Sequence, residues 1–275
     1  MPSYPETTQI FEVSQKENPG SSEIATTQEI PFQIEALSAC VFDILNNSFI
    51  YELNADTQRP LASLTKLMTA IVAKENLLPS TLVEISKEAL LQEGDSGLIM
   101  QEKWNLSDIL KIMLISSSND AAYAVASSLK PGLEITDKEF VEIMNKKVLE
   151  MGLKKTYFIN ATGLDISENL AGAYGTCKEM SSIIKYILIN YPDLLEPTTK
   201  DYLSLGDRTF KNTNDIVNVI PVFFGGKTGF SDLAGGNLTI VVSKGLNHPM
   251  IITVLGSSID GRFEDVKTLY NQFAK

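Results

Sequence analysis

The chain is short of the residues that metal and histidine chemistry need: 275 residues contain one histidine, His248, and two cysteines, Cys40 and Cys177. A zinc site of His and Cys ligands cannot be assembled within one chain unless carboxylates join it, so no metal and no other cofactor is expected. A Ser-His-Asp triad would have to use His248, which sits in Asn247-His248-Pro249, a tight-turn signature between two apolar runs. Cys40 lies inside the apolar run 39–42 and Cys177 beside a helix start, so both read as packed thiols. Positive charge is also scarce. Lysine and arginine number 23 against 34 aspartate and glutamate, for a net charge of −11, which disfavours nucleic acid or an anionic membrane surface as partner. No apolar run reaches the ~18 residues of a membrane span, because Lys111 interrupts 109–115 and Pro221 interrupts 216–224. Residues 1–31 carry few large apolar groups and no hydrophobic signal core, so 1–33 are read as a flexible tether or an artificial edge, and 34–275 as one folded domain.

From Ala36 onward the texture is that of a folded domain. Residues 36–44 and 49–53 alternate as two strands around the turn signal Asn46-Asn47, a β-hairpin. Leu64, Leu67, Met68, Ile71 and Val72 recur at helical spacing over 64–75, which places Ser63 at a helix N-terminus. The middle reads as helices at 106–115 and 119–129, the latter stopped by Pro131-Gly132. A third is opened by the capping box Thr136-Asp137-Lys138-Glu139, and a fourth by Thr176-Cys177-Lys178-Glu179. Strands return at 216–224, 237–243 and 250–256, before a closing amphipathic helix over 262–273. Strands at both ends and helices between them predict an α+β fold: one antiparallel sheet built from both chain ends, flanked by helices, with an inserted, mainly helical lobe.

Three short elements could carry chemistry. Ser63 and Lys66 are three apart at the head of a helix, so both side chains share a face and the amine can reach the hydroxyl. A lysine serves as base only if its ammonium is destabilised by desolvation or by a second cation. The helix N-terminus adds N–H groups that favour negative charge on an attacked carbonyl oxygen. Ser-x-x-Lys also occurs at Ser127/Lys130 and Ser182/Lys185, where no free N–H donors are at hand. The second element is Ser117-Ser118-Asn119 in a polar loop between two helices, a spacing repeated at Ser167-Glu168-Asn169; helix capping explains either one equally well. The third, Lys227-Thr228-Gly229 after Gly225-Gly226, reads either as a glycine-rich turn or as a strand edge able to hold a carboxylate and pair with a ligand backbone.

In their joint order, Ser63-Leu64-Thr65-Lys66, Ser117-Ser118-Asn119 and Lys227-Thr228-Gly229 resemble the three motifs of penicillin-binding proteins and serine β-lactamases. Within that superfamily, residues 60–70, 118–122, Asn160-Ala161-Thr162-Gly163-Leu164 and 226–229 are similar to the low-molecular-mass D-alanyl-D-alanine carboxypeptidases, and the resemblance covers about 36–275. It implies that Ser63 attacks the carbonyl of a D-Ala-D-Ala peptidoglycan stem peptide and forms an acyl-enzyme, with Lys66 as base and Ser117 as proton relay to the leaving amine. Asn119 would bond the substrate amide, and Lys227, Thr228 and Ser231 the terminal carboxylate. The oxyanion would lie between the N–H groups of Ser63 and Phe230, beside Gly229, and Lys66 and Lys227 would lower each other's pKa. β-Lactams would be covalent inhibitors. The family works outside the cytoplasmic membrane, so a targeting segment is expected to have been removed, any membrane attachment lying in a segment not present here. Ser118 stands where the family often has glycine, and Phe230-Ser231 where a threonine is usual in second place. A D,D-endopeptidase, a β-lactamase and a non-hydrolytic β-lactam sensor or wall-binding domain remain as alternatives. The β-lactamase reading wants Ser-Asp-Asn in the middle motif and a deacylating Glu, for which Asp165 and Glu168 are the nearest acids.

Overall fold

A strand buried at every position needs neighbours on both sides and cover on both faces. Strand β1 (Ser38–Asp43) is of this kind, all six residues being buried. The computed structural model describes residues 10–11, 28–29, 32–129, 138–245 and 247–275. It falls into two units, Met1–Ile34 and Glu35–Lys275. In the first, Ile10–Phe11 pairs antiparallel with Gln28–Glu29.

In the second unit β1 turns at 44–47 into β2 (Ser48–Leu53), where Asn47 takes a left-handed φ of 51°. Asp43 accepts from the Asn46 backbone and side chain and fixes the turn. The sheet is completed from the other chain end by β3 (Phe223–Ser231), β4 (Gly235–Ser243) and β5 (Pro249–Ser257). All pairings are antiparallel and the order is β3-β4-β5-β1-β2, so β3 is an edge strand. Cys40, Phe42, Val241, Ile251 and Leu255 join the main hydrophobic cluster, whereas their strand neighbours Ala39, Val41, Ile252 and Val254 are buried outside it. The sheet is therefore covered on both faces.

Between the two halves of the sheet lie α1 (Thr65–Asn76), α2 (Leu106–Ile115), α3 (Asn119–Ser127), α4 (Lys138–Glu150) and α5 (Cys177–Asn190). The closing helix α6 (Gly261–Leu269) packs on β4 and β5. This is the α+β architecture expected, with a helical lobe inserted into a sheet made from both chain ends. Thr176 caps α5 as expected, accepting from the Glu179 N–H at 3.2 Å. The Glu179 carboxylate accepts instead from the Lys154 and Lys155 N–H groups and from the Thr156 hydroxyl. Pro131-Gly132 and Thr136-Asp137 lie outside the described residues. Cys40 and Cys177 are buried free thiols.

One expectation is corrected. The strand assigned to 216–224 begins at Phe223; 216–220 forms turns, closed by Val219 N–H to Ile216 C=O. Asn218 has φ 65° and Pro221 has no N–H to give a ladder, which outweighs the apolar run. The strand instead extends through the glycines to Ser231. Ser63 stands beside the first turn of a helix, as expected: it is the middle residue of the 3-10 turn Ala62–Leu64, which leads into α1 at Thr65.

The Thr176 cap gives a stability test. Replacing Thr176 by Ala removes one acceptor from a buried helix start and should cost about 1 kcal/mol, read as a lower denaturant midpoint with unchanged slope. An unchanged midpoint would refute the capping role.

Candidate active site

Three segments distant in sequence meet at the free edge of β3. The first is the turn carrying Ser63. Ala62 takes φ 47°, a left-handed value costly for a residue with a Cβ, and is held there by its neighbours. Gly163 packs directly on it: at φ 84°, a Cβ on Gly163 would stand 2.0 Å from the Ala62 carbonyl oxygen. Asn160 builds the loop that allows this, its Oδ1 accepting from Gly163 N–H at 2.7 Å and its Nδ2 donating to Leu164 C=O at 2.9 Å. Gly229 of β3 approaches from the other side, where a Cβ would lie 2.9 Å from Leu61 O and 3.3 Å from Ser63 N. The Ser63 backbone is thus brought against the strand segment that continues to Phe230.

Lys66 is fully buried, and its Nζ lies 2.8 Å from Ser63 Oγ, 2.6 Å from Asn119 Oδ1 and 2.7 Å from Thr162 O. Burial lowers its pKa from the usual lysine value to about 7. The amide and backbone oxygens can only accept, so they take two amine hydrogens. In the neutral amine the lone pair is then left facing the Ser63 hydroxyl, which is the geometry a general base requires.

Ser117, at φ 60°, lies between α2 and α3 and accepts from Lys227 Nζ at 2.7 Å. Lys227 is also buried and donates to Thr228 C=O at 2.8 Å. Its pKa is pushed well below the usual value, first by burial and then by the charges of Lys66 and Arg262. The mutual effect expected of the two lysines therefore acts on Lys227, whereas on Lys66 burial is the cause. Thr228 is buried and its hydroxyl meets that of Thr213 at 2.6 Å. Ser231 directs its hydroxyl to Asp165 Oδ1 at 2.9 Å, and Asp165 also accepts from the Leu233 N–H. Phe230 is half exposed. His248 is held on Asp43 at 2.8 Å in the β4–β5 turn, and forms no part of this cluster.

Sequence reasoning missed three contributors. Thr162 acts through a carbonyl, which no side-chain pattern announces. Thr213 lies in a polar loop. Arg262, in the first turn of α6, is buried, donates to Gly229 C=O at 2.8 Å, and has an Nε without a hydrogen-bond partner among the described residues. A single arginine opening an amphipathic helix carries no signal.

A helical lobe on an antiparallel sheet, with serine and buried lysine at the sheet edge, is the architecture of penicillin-binding proteins. The chain superposes on penicillin-binding protein D2 of Listeria monocytogenes, solved in a cefotaxime-bound form, with TM-score 0.77 and 27% identity over 88% of this chain and 98% of that one. It also superposes on a Streptococcus pneumoniae penicillin-binding protein with TM-score 0.78 and 26% identity, covering 88% and 72%. Residues 24–258 match the D-alanyl-D-alanine carboxypeptidase family, and the chain belongs to it. Among curated relatives it is 32% identical to D-alanyl-D-alanine carboxypeptidase DacF of Bacillus subtilis, over 82% of this chain and 58% of DacF. It is 31% identical to the D-alanyl-D-alanine endopeptidase of Escherichia coli, over 84% and 74%. The chain thus spans little more than half the length of DacF.

The buried amine makes a prediction about stability. In the unfolded chain Lys66 keeps the usual lysine pKa of 10.5, and in the folded chain about 7. Between these values the unfolded state holds more protons, so folding stability gains up to about 1.4 kcal/mol per pH unit from this group as pH rises, and gains nothing from it below 7. Lys66→Met should abolish that slope. Denaturation of both proteins between pH 6 and about 10 checks this, and identical slopes would refute the assignment.

Proposed function

We propose that the chain is a serine D,D-carboxypeptidase that removes the terminal D-alanine from peptidoglycan stem peptides through an acyl-enzyme on Ser63. The observation that carries this is the buried Lys66 amine 2.8 Å from Ser63 Oγ. Membership of the D-alanyl-D-alanine carboxypeptidase family supplies the substrate class.

The peptide lies along the free edge of β3, adding a strand to the sheet. Its terminal carboxylate is received by Lys227 and Thr228, with Arg262 adding positive charge behind them. Ser231, committed to Asp165, contributes by shaping the end of the strand. Lys66 Nζ takes the Ser63 proton as Oγ bonds to the penultimate carbonyl carbon, and the resulting oxyanion is held between the N–H groups of Ser63 and Phe230. Collapse breaks the C–N bond. The proton passes from Lys66 through Ser117 to the departing D-alanine amine, and Asn119 holds the acyl chain by its amide. Water then repeats the sequence on the ester and frees Ser63.

A β-lactam acylates the same serine, and the adduct is long-lived. Asp165 accepts from Ser231 and Leu233, and among the described residues neither Asp165 nor Glu168 hydrogen-bonds to Ser63, Lys66 or Asn119, so neither acid is held where a β-lactamase needs one to activate a deacylating water. Endopeptidase action on D-Ala crosslinks is a second reading, favoured by the similarity to the Escherichia coli endopeptidase. The folded unit acts at the peptidoglycan, outside the cytoplasmic membrane. Among the described residues no helix is long and apolar enough to cross a membrane.

Mass spectrometry after exposure to a penicillin should show one stable adduct per chain, absent in Ser63→Ala, and D-alanine should be released from a D-Ala-D-Ala peptide. An adduct without D-alanine release would make the chain a sensor. The acylation rate should rise with pH about a midpoint near 7, where Lys66 loses its proton. A rate independent of pH from about 5.5 to 9 would remove Lys66 as the base.

A further inference from the structure

Asn119 is held at both ends of its amide: Oδ1 accepts from Lys66 Nζ at 2.6 Å, and Nδ2 donates to the Glu93 carbonyl at 2.6 Å. The two contacts leave one orientation of the group, with one Nδ2 hydrogen still unspent. Glu93 belongs to the exposed loop 92–97, in which Gly94 and Gly97 have φ values of 93° and 72°. Within the loop the Gly97 N–H donates to Asp95 Oδ1, and Arg208 donates to the Gly97 carbonyl, but neither contact bears directly on the Glu93 carbonyl.

The fastening is a chain of hydroxyls. Ser96 Oγ lies 2.7 Å from Asp120 Oδ2 and 2.6 Å from Ser118 Oγ, and Ser118 Oγ accepts from the Ala121 N–H at 3.0 Å. A carboxylate only accepts, so the Ser96 proton goes to Asp120 and the Ser118 proton goes to Ser96. Donation runs from the Ala121 N–H to Ser118, from Ser118 to Ser96 and from Ser96 to the Asp120 carboxylate, each link polarising the next. Asp120 is 1% exposed and its Oδ1 has no hydrogen-bond partner among the described residues, a penalty tolerated at the N-terminal turn of α3. Glycine at 118 would break the chain in the middle.

We propose that Ser96, Ser118 and Asp120 form a latch that pins loop 92–97 to α3, so that the Glu93 carbonyl orients the Asn119 amide for Lys66 and for substrate. The inference rests on the acyl-serine reading given above. Ser96, Ser118 and Asp120 are positioning residues, acting through Asn119 rather than on the reacting atoms.

The test is a double-mutant cycle on the second-order rate of acylation by a penicillin, with wild type, Ser96→Ala, Asn119→Ala and the double variant. Ser96→Ala should slow acylation roughly tenfold, and Ser96→Thr, which keeps the hydroxyl, should restore it. In the Asn119→Ala background the same change should alter the rate by less than about twofold. Equal factors in the two backgrounds, or no effect of Ser96→Ala, would overturn the latch while leaving the acyl-serine reading intact. A wild-type chain that forms no adduct would overturn both. Should Ser96→Ala fail to fold by circular dichroism, Ser118→Gly takes its place in the cycle: slowing confined to the Asn119 background supports the latch, and equal factors overturn it.

Discussion

A primary amine sealed from water beside a serine hydroxyl is the constraint around which this domain is arranged. Desolvation lowers the Lys66 pKa to about 7, but an amine without acceptors in a dry interior would be untenable. Its acceptors come from three places: Ser63 one helical turn away, Asn119 at the start of α3, and the Thr162 carbonyl in the loop before α5. Each had to be delivered by a separate part of the chain. The helical lobe exists, in physical terms, to bring α1, α3 and that loop to one point.

Delivering backbone to that point has a conformational cost. Ala62 and Ser117 both sit at left-handed φ although each carries a Cβ, at about 1–3 kcal/mol apiece. Within the cluster, the strain falls on the residue before Ser63 and on the residue that faces Lys227. Glycine is used where side-chain atoms would prevent approach altogether, at 163 against Ala62 and at 229 against Ser63. Thr69 adds a further tie, its hydroxyl donating to Ala161 C=O at 2.7 Å, so the loop is fastened to α1 at two successive carbonyls. A site made of backbone contacts this close cannot be loosened locally without moving the lysine.

How much of this was legible depends on whether the information is local. Ser63 with Lys66, the Thr176 cap and the β1–β2 turn were readable because spacing and capping act within a few residues. In the sequence, Lys227-Thr228-Gly229 after Gly225-Gly226 reads either as a turn or as a strand edge, since its glycines suit both until the neighbouring chain is known. Gly226 has backbone of β4 in the way, with a Cβ meeting Thr239 O at 2.5 Å. Conversely, 216–220 looks like a strand by composition, yet Asn214, which accepts from the Ile216 N–H, and Asn218, at left-handed φ, bend it. The motifs named the reacting groups; Thr162, Thr213 and Arg262 are partners by tertiary contact alone. For these, nothing short of the fold could have served as signal.

The two buried lysines differ in what lowers their pKa. Lys227 has its pKa depressed further than burial alone would cause, because Lys66 and Arg262 lie nearby. Protonating Lys227 while Lys66 carries its charge is therefore opposed. On the proposed reading, a substrate carboxylate beside Lys227 and Thr228 would stabilise the charge on Lys227, whereas the basicity of Lys66 is set by its own burial. The net charge of −11 does not describe this point of the fold, where Lys66, Lys227 and Arg262 are buried and the two other cations depress the Lys227 pKa. In the proposed carboxypeptidase an anionic peptide terminus would be received by that local field, and not repelled by the overall charge.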